Sequence, residues 1–144
     1  YNAAGTTQGN ISGTNTATGV SISMPLGGMT ASLGYVTDGT QNQSGASVAM
    51  ALGGGTVTVG YGATTASAAN ETSMGAKYAM SLDADTSMTI GYNSTKAAAP
   101  HTKTGVALSR SLGGGASVFL EAINYSGNGA TAGTDIGIGT SFAF

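Results

Sequence analysis

The last ten residues of the chain, 135–144, alternate between larger, mostly apolar side chains and small or polar ones. One parity holds Ile136, Ile138, Thr140, Phe142 and Phe144, and the positions of the other parity carry Asp, Gly, Ser or Ala. Successive side chains of a strand point to opposite faces, so this period of two predicts a β-strand with one apolar face.

The same alternation recurs upstream as pairs of segments joined by short turns. Residues 20–26 and 29–35 alternate in matched phase on either side of Gly27-Gly28, and equivalent pairs flank residues 53–55, 83–85 and 113–115. Gly and Asp are residues that tight turns favour. The pattern predicts four hairpins and a final strand, nine strands in all, over residues 16–144. Residues 1–15 have no usable period and are predicted to be an outer loop segment.

The two ends of the predicted strands differ in composition. A leucine precedes each short turn, at positions 26, 52, 82 and 112. A tyrosine closes each returning strand: Tyr35, Tyr61, Tyr92 and Tyr125. Longer polar stretches follow the tyrosines and are predicted to be loops. Short turns at one end, longer loops at the other and an aromatic girdle are features of outer-membrane barrels. Phe142 and Phe144 are predicted to belong to that girdle.

These features predict an all-β fold, an antiparallel up-and-down transmembrane β-barrel. Charged residues make up only 7% of the chain, against about 25% in average soluble domains. No stretch offers the roughly 20 apolar residues that a membrane-spanning helix needs. If the chain enters a membrane, we expect it to do so as strands.

Composition also narrows the chemistry. The chain lacks cysteine, which excludes disulfides, thiolate catalysis and Cys-ligated zinc. His101 is the only histidine, and no nucleophile-elbow or phosphate-loop motif occurs. The net charge of −2 gives no electrostatic basis for nucleic-acid binding. We therefore predict neither enzymatic activity, nor a cofactor, nor a metal site. The chain opens at Tyr1 without a signal peptide, so we expect a processed product or a fragment.

The parity opposite to the apolar one consists mainly of small residues. They are too small to fill a narrow barrel, so they favour a wide, water-filled lumen. The residues with this parity that we predict to line a pore are Ser47, Thr58, Lys77, Thr89, Ser109, Glu121 and Asp135.

The few charges leave some alternatives open. Lys77 is either a fixed charge on the pore wall or a solvated lysine without a role. Glu121 faces lipid if Tyr125 sets the parity of its strand, and faces water if Val118 and Leu120 set it. We favour the second interpretation, with a bulge before Tyr125. Arg110 has the apolar parity beside a turn, and we expect it to reach the headgroups. The other charges in the polar stretches are predicted to lie in outer loops: Asp38, Glu71, Lys96, His101 and Lys103.

The run A-L-S-R-S-L-G-G-G-A-S-V-F-L, followed by a Gly/Asn loop and D-I-G-I-G-T-S-F-A-F, resembles the C-terminal hairpin and last strand of Gram-negative general porins of the purple-bacterial, alphaproteobacterial type. The resemblance implies a sixteen-stranded barrel, a homotrimer in the cell outer membrane, and passive diffusion of small hydrophilic solutes and ions. It also implies contact with outer-membrane lipid and recognition of Phe144 by barrel-assembly machinery.

The chain departs from that family in two respects. Nine strands correspond to about the C-terminal half of such a barrel, so the resemblance implies N-terminal strands of the same protein as partners. Arg110 stands where the family usually carries an aromatic or apolar residue. Without the resemblance, the wealth of Gly, Ala, Ser and Thr also fits a structural or surface β-protein, fibrous or adhesin-like, and a tyrosine at each strand end also fits a β-sandwich.

Overall fold

A computed structural model of the protein describes residues 18–66, 70–127 and 132–143. The nine strands are β1 (Thr18–Leu26), β2 (Met29–Thr37), β3 (Gln41–Leu52), β4 (Gly55–Ala66), β5 (Asn70–Ser81), β6 (Thr86–Lys96), β7 (His101–Gly113), β8 (Ala116–Gly127) and β9 (Gly133–Phe142). They form one sheet in chain order, and each strand is antiparallel to the next. The all-β, up-and-down architecture predicted from the alternation is confirmed. The predicted loop segment 1–15 and Phe144 lie outside the described residues.

The turns at one end of the sheet are as short as predicted. Gly27 and Gly28 join β1 to β2 with φ of 55° and 88°, and Gly53 and Gly54 join β3 to β4 with φ of 57° and 80°. Two successive positive φ values define the hairpin turn whose twist matches that of the strands, and glycine adopts them without steric cost. We call this end of the sheet the turn end, and the opposite end the loop end.

The loop end is a correction to the sequence analysis. The polar stretches predicted to be long loops are mostly strand: residues 38–40 and 97–100 are all that separate β2 from β3 and β6 from β7. Glu71, Lys96, His101 and Lys103 therefore lie in strands and not in loops. The polar composition was misleading because Thr, Ser, Asn and Gln mark exposure to water, and their backbones pair in a sheet like any others. Asp38 does lie in a turn, where its carboxylate accepts the N–H groups of Thr40 and Gln41.

The pairing register sorts the side chains into two faces. One row across eight strands runs Met29, Met50, Val57, Tyr78, Ile90, Val106, Ala122, Ile136. The neighbouring row on the other side of the sheet runs Thr30, Ala49, Thr58, Lys77, Gly91, Gly105, Ile123, Asp135. We call the side of the first row the apolar face and the side of the second row the small-residue face.

The sheet has no hydrophobic core. No side chain among the described residues is fully buried, and large apolar side chains of the apolar face remain exposed, for example Ile22, Leu33 and Ile138 at 54%, 53% and 79%. Soluble monomers rarely expose contiguous apolar patches above a few hundred Å². This face extends over all nine strands, so it requires an apolar surrounding. Within the described residues there is no helix that is long and apolar enough to span a bilayer.

Candidate channel wall

All seven residues predicted to line a pore lie on the small-residue face. They lie in four neighbouring rows of cross-strand partners, which contain the pairs Ser47 with Gly60, Thr58 with Lys77, Thr89 with Ala107, Glu121 with Gly137, Ser109 with Phe119 and Asp135 with Ile123. The structure thus places them on one surface, while their role as pore-lining residues remains a prediction.

Lys77 lies between two small partners on that face. Its direct neighbours across the sheet are Thr58 and Gly91, and Gly91 is buried. The ion pair between Arg110 and Asp83 is the one found among the described residues, so Lys77 has no carboxylate partner there. An unpaired charge beside small side chains acts on nearby solvent and ions.

Glu121 lies on the small-residue face, as expected if Val118 and Leu120 set the parity of β8. Its side chain covers Gly137: a Cβ added to that glycine would lie 3.0 Å from Oε1 and 3.1 Å from Cγ of Glu121. The bulge that we expected before Tyr125 is absent, because residues 117–127 of β8 pair with β7 without a register shift.

The aromatic row at the loop end consequently contains three tyrosines and not four. Tyr35, Tyr61 and Tyr92 lie on the apolar face and are 43%, 50% and 46% exposed. Tyr125 must be removed from that row, because the uninterrupted register of β8 turns it to the small-residue face, opposite Lys103. Phe142 lies on the apolar face at the turn end.

β8 also places bulky residues where the sequence predicted small ones. Phe119, Ile123 and Tyr125 alternate with Val118 and Leu120, so they share the face of Glu121. A Cβ added to Gly139 would lie 2.7 Å from Cε1 of Phe119, which shows that the ring rests directly on that glycine. The sequence carried a signal for this, because apolar residues of both parities occur in the run S-V-F-L-E-A-I-N-Y. A strand with this pattern has no bare face.

The turn end carries an aromatic anchor that sequence reasoning missed. Tyr78 lies on the apolar face, and its hydroxyl lies 3.1 Å from the carbonyl oxygens of both Leu52 and Gly53, to which it donates. Its ring covers Gly55, with Cε2 2.7 Å from a Cβ added there. Tyr78 therefore ties β5 to the turn between β3 and β4. The sequence did indicate its place on the apolar face, because Tyr78 shares the parity of Met74 and Met80.

Arg110 lies beside a turn on the apolar face, as its parity predicted. One of its guanidinium nitrogens, Nη1, donates to Oγ1 of Thr86 at 2.7 Å and lies 3.4 Å from Oδ2 of Asp83. The N–H of Asp85 donates to the Asp83 carboxylate at 2.8 Å. The pKa of Asp83 lies below its ordinary value of 3.8. The largest cause is this hydrogen bond, followed by the hydrogen bond with Thr86 and then by the positive charge of Arg110.

A polar cavity lies at the loop end of the small-residue face. Its volume is about 510 Å³, and residues from β4, β5, β6, β7 and β8 line it. Side chains from five successive strands meet around one cavity only where a sheet curves, so this face is concave there. Glu71 and Lys103, which we expected in outer loops, lie in its wall. No group of three or more potential metal-ligating side chains occurs in the part of the chain that the structure describes.

Comparison with known proteins finds similarity in structure but not in sequence. The sequence matches no protein-family model and no curated protein. Among solved structures, the chain is similar to a KdgM porin that was solved in complex with a disordered oligogalacturonate. The TM-score is 0.52 at 11% identity, and the match covers 77% of this chain and 67% of the porin. At this identity the similarity supports the fold alone, an antiparallel sheet of the β-barrel type.

Proposed function

We propose that this chain forms part of the wall of an outer-membrane channel, a porin through which small hydrophilic solutes and ions diffuse passively. The observation that supports it is the division of one sheet into an exposed apolar face and a concave face of small and polar residues. A sheet with these two faces separates lipid from water.

The apolar face has the layout of a lipid-facing band. On β3 its apolar positions run from Ala46 to Leu52, roughly 20 Å along the strand at about 3.4 Å per residue. The lipid-facing bands of outer-membrane barrels are flanked by aromatic girdles. Tyr61, the cross-strand partner of Ala46, lies at the loop-end border of this band. At and beyond this border the same face carries polar residues: Thr65, Thr72, Ser94, Thr102 and Ser126.

The small-residue face suits a wide lumen that does not select strongly for charge. Its strand residues include two cations, Lys77 and Lys103, and three carboxylates, Glu71, Glu121 and Asp135. Opposite charges in nearly equal number favour neither cations nor anions strongly. The similar porin was solved with a polyanionic ligand, whereas the charge balance here favours general diffusion of small solutes. The sixteen-stranded barrel, the homotrimer and the assembly signal at Phe144 remain predictions of the family resemblance.

Reconstitution into planar lipid bilayers tests the proposal. The native protein, purified in detergent, is expected to give stepwise conductance increases and to pass small sugars in a liposome-swelling assay. A protein that stays soluble without detergent, or that forms fibres with a 4.7–4.8 Å cross-β reflection, would instead support the structural β-protein, whose copies could stack through the two outer strands of the sheet, β1 and β9.

A further inference from the structure

The polar cavity at the loop end of the small-residue face has the composition of a ligand site. Its volume of about 510 Å³ falls within the roughly 300–1,000 Å³ of small-molecule pockets. Glu71, Ser73, Asn93, Thr95, Lys103 and Tyr125 supply its polar groups. Gly62, also in the wall, keeps the floor open, with the Ser73 hydroxyl 3.1 Å from the position of an added Cβ.

One side of the cavity is a row of three adjacent residues. Tyr125, Lys103 and Asn93 are direct cross-strand partners on β8, β7 and β6. The ammonium of Lys103 lies 5.4 Å from the centre of the Tyr125 ring, within the range of a cation–π interaction. The contact restricts the lysine, so that its donors and the aromatic ring face the cavity together.

The opposite side of the cavity carries an acceptor. Glu71 lies on β5, two strands from Lys103, and forms no ion pair among the described residues. Thr72 pairs with Lys96 while Lys103 pairs with Asn93, so the two charges are also displaced along the strands. The Cα atoms are therefore separated by roughly 10 Å across the strands and 13 Å along them. Both charged groups remain available to a ligand that spans this separation.

We propose that this cavity binds a neutral oligosaccharide during its passage. Sugar hydroxyls both donate and accept hydrogen bonds, and the wall offers both a charged donor and a charged acceptor together with hydroxyl and amide groups. The Tyr125 ring provides an apolar surface for the C–H face of a sugar ring. One cation and one carboxylate cancel, so an acidic sugar gains no advantage. The inference rests on the proposed function, because the sugar reaches the cavity only if this face is wet.

Current recordings on the reconstituted native protein test the site. Maltotriose is expected to block the open channel in a concentration-dependent manner. Tyr125→Leu and Asn93→Ala are each expected to lower the association constant about tenfold, as loss of one or two good contacts does. Tyr92→Leu is the matched control: it removes a tyrosine from the apolar face and should leave the association constant unchanged. Trigalacturonate and a tripeptide are expected to block no better than maltotriose.

The outcomes separate the site from the channel. A native protein that conducts but shows no maltotriose block overturns the site and keeps the channel. Stronger block by trigalacturonate or the tripeptide, or an equal loss of affinity in Tyr92→Leu and Tyr125→Leu, also overturns the site. Calorimetric titration of the detergent-solubilised protein with maltotriose gives the affinity without conductance. Heat of binding in a protein that never conducts keeps the site and overturns the channel.

Discussion

Lys77 carries its charge on the small-residue face beside Thr58 and Gly91, and no carboxylate neutralises it among the described residues. Lys77→Glu changes the charge there by two. At about 8 Å in water two unit charges shift the energy of a monovalent ion by roughly 1 kcal/mol, which is about fivefold in occupancy before screening. Cation occupancy rises and anion occupancy falls by this factor, so we expect the cation-to-anion permeability ratio, measured from the reversal potential in a KCl gradient, to rise at low salt by at most about 25-fold.

Lys96 supplies the matched control for this charge reversal. It is also a strand lysine, but it lies on the apolar face beyond the tyrosine row. Lys96→Glu should leave the reversal potential unchanged. An equal shift in both variants would mean that Lys77 does not lie on the lumen wall.

Two glycines of β9 make a second test at single residues. Gly139 lies under the ring of Phe119, and a Cβ there would be 2.7 Å from Cε1. Gly139→Ala should force the rigid ring aside and lower the free energy of unfolding by about 1–3 kcal/mol, as overpacking does. Gly137→Ala meets only the flexible Glu121 side chain, at 3.0 Å or more, and should cost less. Urea unfolding in lipid vesicles measures both, and equal stabilities would show that Phe119 does not cover Gly139.

At the scale of elements, the turn between β3 and β4 isolates a purely conformational effect. Gly54 has a φ of 80°, and an added Cβ would meet nothing within 4 Å. Gly54→Val should therefore destabilise the hairpin by about 1–2 kcal/mol through the left-handed backbone alone. Gly53→Asn should be tolerated, because asparagine adopts positive φ readily. On a denaturing gel, the fraction of each variant that still migrates as the compact folded form in unheated samples reports the difference in stability. A fully stable Gly54→Val protein would rule out this turn geometry.

The turn between β5 and β6 gives a pH dependence. Hydrogen bonds from the Asp85 N–H and Thr86, then the charge of Arg110, lower the pKa of Asp83 below 3.8. A depressed folded pKa means that this contribution to stability is complete above the unfolded value and is lost as the pH falls through the folded value. The melting temperature of Asp83→Asn should thus lie below that of the unmodified protein at pH 7, and the difference should narrow as the pH falls below 3.8. A difference that does not narrow in acid would contradict the assignment.

The sequence predicted best those strands in which the side chains of the two parities differ strongly in size. Ile136 and Ile138 against Gly137 and Gly139 define β9 without ambiguity, because one set is bulky and the other bare. Contrast is missing in β8, where Phe119 and Leu120 are adjacent and apolar, so the face of Tyr125 followed only from the register. The loop-end strand bounds depend on pairing between consecutive strands, and the cavity at that end depends on the curvature of five strands; polar composition encodes neither.

At the scale of the whole molecule, the directions of the outer strands constrain how the sheet closes. Nine strands that alternate in direction leave β1 and β9 parallel to each other. Bacterial single-chain barrels are antiparallel throughout and have an even number of strands. An antiparallel barrel that contains this sheet therefore needs an odd number of further strands between β9 and β1.

We expect the native polypeptide to supply those strands. Seven more would complete a sixteen-stranded barrel and give a lumen wide enough for an aqueous channel, in keeping with the small side chains of Ser47, Thr58 and Thr89 on the small-residue face. Intact-mass measurement of the native protein should give about twice the mass of these 144 residues. A native mass equal to that of the 144 residues would leave too few residues for seven further strands and would exclude the sixteen-stranded barrel.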